Sequence, residues 1–405
     1  MLRIRTLMIF ALIAATTATA CGGSSSPSVA PTTTTATQPA TTTTTALSAS
    51  DAAKLYQERG PYPVGVLTET LPEGNKVEIW YPAVEGSNGK ETYDVKDFTS
   101  PEVKALLTAD VDATRTYDAT RDAAGAVGKF PVVLFSHGFS GMRVQSTFLT
   151  SHLASWGMIV ASADHPSRDL FHILGGAPKQ DSVADVEAAL AMVRSLGADK
   201  RSPLNSLPDF DHVAAVGHSA GGGTAVGASN RIAEVDGYVS LASGLFRGAT
   251  TSTSVGVTTT TVAIPSKPSL FVAGANDQIA DPKTVTRAGY EAAATPTRLW
   301  VIDKAGHNAF DDFCTLGGGA GIIGIAEASG LGPLLTTGPL KFAKTLGEDG
   351  CKPPNVPVAE VYPIINHVVV AWLRNLFGTT PSTQGLGADV AGEFSVGVTI
   401  EERLG

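Results

Sequence analysis

A mostly parallel β-sheet with helices on both faces is the fold the sequence predicts, and three observations predict it. Between about residue 60 and residue 377, short apolar runs rich in Val, Ile and Phe alternate with longer segments of helical period. One such run, 213–216, leads directly into Gly217-His218-Ser219-Ala220-Gly221 and then a small-residue helix, a strand-to-helix junction typical of such sheets. No heptad or helical repeat competes with that reading.

The elements follow in order. Residues 76–81 alternate with period two and are expected to pair with 64–70 as an antiparallel edge. Residues 131–135, 158–163, 213–216, 237–241, 269–273 and 298–302 supply the parallel strands, and 145–156, 181–196, 220–232, 282–294 and 361–377 the helices. In the second helix Val183, Val186, Leu190, Val193 and Leu196 make one apolar stripe, and Gly197 ends it. In the first, His152 shares a face with Phe148, Leu149, Leu153 and Trp156, which predicts a core-edge residue and not a ligand. Residues 244–265, rich in Thr, are expected to form a surface excursion. Residues 311–357, Gly-rich with apolar patches, are expected to form a lid, a cleft wall or a plain insertion.

Ahead of this body, residues 1–20 read as an export signal: Arg3 and Arg5, an apolar run over 7–15, then Ala18-Thr19-Ala20. Cys21 followed by two glycines fits a lipidated N-terminal cysteine, which makes the protein a cell-surface lipoprotein of a bacterium held to its membrane through Cys21. Ala18 stands where such signals prefer Leu, which leaves plain secretion as the second reading. Residues 21–50, almost only Thr, Ser, Ala and Pro, cannot bury enough surface to fold and form a tether. The catalytic domain is then 51–380, with 381–405 as a C-terminal extension. The formal charge of −9 and the absence of a Lys/Arg-rich run argue against a nucleic-acid partner. With Cys21 lipidated, the two remaining cysteines, Cys314 and Cys351, are expected to pair.

The chemistry is read from three positions. The tight turn at Gly217-His218-Ser219-Ala220-Gly221 exposes the Ser219 hydroxyl at a helix N-terminus, suited to a nucleophile. Serine needs a base, and His307, just after the last predicted strand, lies at the carboxyl end of the sheet where such folds put their sites. Imidazole in turn needs a carboxylate, and Asp277 ends the preceding strand. Asp281, beside Pro282, looks like a helix cap, and Asp303 is expected to face away. An oxyanion hole needs two backbone N–H groups, and the candidates are Phe139, after Ser136-His137-Gly138, and Ala220. This chemistry calls for no metal and no cofactor.

These motifs resemble the esterase branch of the α/β-hydrolases: bacterial cutinases and polyester hydrolases, dienelactone-hydrolase-like proteins and platelet-activating-factor acetylhydrolases. The resemblance rests on residues 60–65, Trp80-Tyr81-Pro82, Ser136-His137-Gly138-Phe139, residues 217–223, Gly274 with Asp277, and residues 306–311. It implies an α/β-hydrolase fold and a serine esterase with Ser219, His307 and Asp277 in the catalytic roles. The partner it implies is an ester, small, lipid-like or polymeric. Dienelactone hydrolases use Cys where this chain has Ser219. Acetylhydrolases carry the acid one strand earlier, where this chain has Ser240-Leu241-Ala242-Ser243, and polyester hydrolases place Met after the nucleophile and a Trp beyond the next strand. Here Ala220 and a Trp-free 243–248 stand instead, which weakens the polyester reading. A peptidase, an acyltransferase, or a binding protein on an inactive hydrolase fold are the rival functions.

Overall fold

A computed structural model describes residues 47–405 except 109, 174–175, 246–250, 254–255, 259–262, 338–340 and 380–382. The expected export signal, Cys21 and the tether up to residue 46 lie outside the described residues, as does half of the 244–265 excursion.

The chain enters through α1 (Ala49–Lys54), capped by the Ser48 hydroxyl, and forms the antiparallel pair β1 (Val64–Thr70) and β2 (Lys76–Pro82). Next, β3 (Lys90–Asp94) pairs with β4 (Thr114–Asp118) around α2 (Pro101–Leu106), and β5 (Thr120–Arg121) lies parallel to β1. The parallel part runs β6 (Phe130–Ser136), α3 (Thr147–Ser155), β7 (Ile159–Ala163), α4 (Ser182–Ala198), β8 (Pro208–His218), α5 (Ala220–Arg231) and β9 (Val235–Leu241). After the short pair β10 (Thr251–Thr253) and β11 (Gly256–Thr258) come β12 (Ser269–Gly274), α6 (Arg287–Ala292) and β13 (Thr297–Ile302). The chain closes with α7 (Gly321–Ala328), α8 (Gly332–Thr336), α9 (Lys341–Glu348), α10 (Val358–Leu376) and β14 (Val398–Arg403).

Ten strands form one sheet in the order β14-β13-β12-β9-β8-β6-β7-β2-β1-β5. From β7 to β13 every pairing is parallel, while β2 and β14 run antiparallel to their neighbours. Alternation along the strands builds two cores. Val133, Phe135, Val216 and Val272 point to the α3 and α10 side, and Val132, Leu134, Ala215 and Phe271 to the α4 and α5 side. This is the α/β-hydrolase fold.

Two expectations need correction in detail. The C-terminal extension is no appendage: residues 398–403 add an edge strand to β13, so β13 is not the last strand, and the unit runs to the end of the chain. The predicted helix 282–294 opens as a π turn, Pro282–Thr286, before α6. Trp80, Trp300 and Trp372 are buried as core, but Trp156 is only half-buried, its indole N–H donating to the Glu58 carbonyl. Among the described residues no helix is long and apolar enough to cross a membrane.

His152 is buried against α1's exit, its Nε2 2.8 Å from the Tyr56 carbonyl oxygen. Burial pushes its imidazole down to about 4, partly offset by that hydrogen bond. In the unfolded chain it takes up a proton near pH 6.5, so the stability it allows is present above that value and is lost as pH falls toward 4. Between pH 7 and pH 4 the wild type is therefore expected to lose about 3 kcal/mol more unfolding free energy than His152→Gln. Urea titrations of both proteins at the two pH values measure this difference.

Cys314 and Cys351 are bonded to each other across a sequence separation of 37. The link ties the turn Phe313–Thr315, next to the His307 loop, to the end of α9. By its effect on the unfolded chain a loop of this length is worth about 4 kcal/mol. The double variant Cys314→Ser/Cys351→Ser is expected to lose roughly that much in denaturant unfolding, and non-reduced peptide maps of the wild type should carry the cross-linked pair.

Candidate active site

The turn between β8 and α5 is made by its glycines. A Cβ on Gly221 would lie 1.9 Å from the Ser136 carbonyl oxygen, and one on Gly217 would lie 2.0 Å from the Gly221 carbonyl oxygen. Only with both side chains absent can α5 press onto β6 closely enough to form the turn. Ser219 at its apex is held at φ 54°, ψ −122°, a left-handed conformation costly for a non-glycine residue. Its own N–H donates to the Leu241 carbonyl on β9, which fixes the turn against the next strand.

Ser219 Oγ lies 2.9 Å from His307 Nε2, and His307 Nδ1 lies 2.9 Å from Asp277 Oδ2. The other oxygen of Asp277 accepts the N–H groups of Ile279 and Ala280, at 2.8 and 2.7 Å, so both carboxylate oxygens are engaged and the side chain has one orientation. His307 and Asp277 are buried, while Ser219 is partly open to solvent. Asp281 instead caps the turn at Pro282 by accepting from Lys283 and Thr284 N–H, and Asp303 is exposed. The N–H groups of Phe139, on the loop after β6, and of Ala220, the first residue of α5, have no acceptor among the described residues.

A relay the sequence reading missed holds the three loops together. Gly138 N–H donates to Gln145 Oε1, Gln145 Nε2 donates to His218 Nδ1, and His218 Nε2 donates to the His307 carbonyl. Burial, with His307 beside it, keeps His218 neutral by pushing its pKa well below the usual histidine range. Neutrality is what lets one ring nitrogen accept while the other donates. Asp349 makes a second tie: its Oδ2 accepts from Gln278 N–H beside Asp277, and its carbonyl accepts from Asn308 N–H beside His307. Burial pushes the Asp349 carboxyl up.

A second Ser-His-Asp arrangement lies beneath the 136–141 loop. Ser136 Oγ is 2.8 Å from His165 Nε2, and His165 Nδ1 is 2.9 Å from Asp185 Oδ2. All three are buried, Ser136 does not line the cavity that Ser219 opens into, and its Oγ also accepts from Arg168, which donates to the His137 carbonyl as well. Geometry alone does not make a reactive site; this set has no room for a substrate and serves to brace the loop. The run His165-Pro166-Ser167-Arg168-Asp169 after β7 was its sequence signal.

The cavity at Ser219 has a volume of about 460 Å³ and is walled by α2 and by the helices of residues 321–347. No group of three or more His, Cys, Asp or Glu side chains among the described residues is placed to hold a metal ion.

Comparison with known proteins adds a family. The PETase family model, described as PET hydrolase-like, matches residues 112–320, the stretch that carries Ser219, Asp277 and His307. A solved ferulic acid esterase from Streptomyces cinnamoneus shares the fold, with a TM-score of 0.54 at 19% identity over 84% of this chain and 97% of that one. No curated protein matches the chain.

Proposed function

This chain belongs to the PET hydrolase-like family and is a carboxylic ester hydrolase, and from that premise we propose that it works by a Ser219-His307-Asp277 triad through an acyl-enzyme. The observation that carries the proposal is the unbroken path of 2.9 Å contacts from Asp277 through His307 to Ser219 Oγ, which opens into the cavity.

As Ser219 Oγ bonds to the ester carbonyl carbon, its proton passes to His307 Nε2, and Asp277 steadies the imidazolium. The negative oxygen meets the N–H groups of Phe139 and Ala220, a role supported by their having no acceptor among the described residues. His307 gives its proton to the alcohol oxygen as the carbon–oxygen bond breaks, leaving the acyl group on Ser219. A water then gives a proton to His307 and bonds to the acyl carbon, and Ser219 takes the proton back as the acid departs. Turnover of p-nitrophenyl acetate by the purified protein, with release of equal amounts of acid and alcohol, tests the reaction; a folded protein without turnover would contradict it.

We further propose that residues 311–357 act as a wall of the binding cleft, which their place around the cavity supports. Export and anchoring through Cys21 complete the proposal, supported by the signal-like residues 1–20 and the bonded Cys314–Cys351 pair. The mass of the mature N-terminal peptide distinguishes a lipidated Cys21 from plain secretion.

A further inference from the structure

The cavity at Ser219 is mainly apolar. Its polar lining groups are Ser219, His307, Asn308, His218, Gln145 and Asp311, with the hydroxyls of Thr99 and Ser140. Its walls are branched aliphatic. Val103 and Leu106 of α2 line it together with Ile322, Ile323, Leu335 and Leu346 of α7, α8 and α9. Aromatic rings, on which a flat aromatic ester would stack, are confined to Phe139, Phe313 and Phe342.

The mouth continues the same chemistry. Leu106, Phe139, Leu334 and Phe342 line the cavity and are also solvent-exposed, so an apolar chain can enter without crossing a polar rim. If a methylene occupies about the 30 Å³ of a water, the volume holds roughly ten to fifteen such groups, more than an acetyl ester needs.

From these observations we infer that the cavity takes the straight aliphatic acyl chain of an ester, of medium length, in preference to an aromatic acyl group. The inference rests on the proposed serine-esterase reading. It assigns the acyl side because that part stays bonded to Ser219 Oγ while the alcohol leaves and water enters. A walled apolar site suits the group that remains, and the departing alcohol needs the open side.

The test is kcat/KM of the full chain with p-nitrophenyl acetate, butyrate, octanoate and benzoate, all below their aggregation limits. Each buried methylene can raise kcat/KM by up to about fourfold, and a gain of only about 1.8-fold for each of the six that octanoate adds to acetate already gives about 30-fold, so octanoate should exceed acetate by about 30-fold or more and exceed benzoate as well. Ala326→Phe and Ala343→Phe, each filling the cavity from a different helix, should each lower the octanoate-to-acetate ratio by about tenfold. Acetate turnover with no gain along the series, a preference for benzoate, or an unchanged ratio in both folded variants would overturn the assignment and leave the esterase reading standing. Absence of turnover on every ester would overturn both.

Discussion

Ser219→Ala is expected to lower kcat/KM for ester hydrolysis by about 10⁴-fold or more, the scale of nucleophile removal in other serine triads. The loss should be chemical and not structural. Alanine keeps the backbone N–H that bonds Leu241, and its smaller side chain fits a turn that Gly217 and Gly221 already make possible. Melting temperature and far-UV circular dichroism should therefore match the wild type. Rates measured on purified variant with p-nitrophenyl butyrate check the outcome, and turnover retained above a few per cent would remove Ser219 from its role.

The second large effect is expected at the acid. Asp277 accepts the His307 Nδ1 proton on one oxygen and two backbone N–H groups on the other. Asp277→Asn removes the charge that steadies the imidazolium and offers an amide that favours the wrong tautomer of His307, so kcat is expected to fall by about 10³- to 10⁴-fold. Asp281→Asn keeps a capping side chain at the turn after it, and Asp303→Asn alters an exposed residue; both should keep activity within a few-fold of the wild type. The reverse pattern, with activity lost at Asp281 or Asp303 and kept at Asp277, would move the acid elsewhere.

How much of this was legible in the sequence depended on whether a residue's partner lay nearby in the pattern. The parallel strands were legible because both faces are buried and their apolar runs are continuous, as in residues 131–135 and 213–216. β14 was not, because it is an edge strand: Glu401 pairs with Arg287 of α6 and Glu402 with Arg298 of β13, and such charges hide a strand from any reading based on apolar runs. Within the segment 83–130, α2 was hidden for a different reason: it buries none of its residues and turns Val103 and Leu106 to the cavity.

Ser219, His307 and Asp277 stood out because each closes a strand at the same edge of the sheet, and the structure brings them within hydrogen-bond reach of one another. Gln145, Arg168 and Asp349 did not, since their partners are backbone groups, hydroxyls and a buried ring that belong to other loops and carry no pattern of their own. The aliphatic character of the cavity was equally hidden. Ile322, Ile323 and Leu335 read as small apolar patches in a Gly-rich insertion, and their common direction toward Ser219 emerges only from the packing of α7 to α9 around the Cys314–Cys351 link.

The most direct test of the account is the site of covalent labelling by a fluorophosphonate, which reacts with a serine only where a base and oxyanion donors activate it. One label per chain is expected, on the peptide containing Ser219, with none in Ser219→Ala. A label on another serine, such as Ser136 in the buried Ser-His-Asp arrangement, or no label on the folded wild type, would contradict the account.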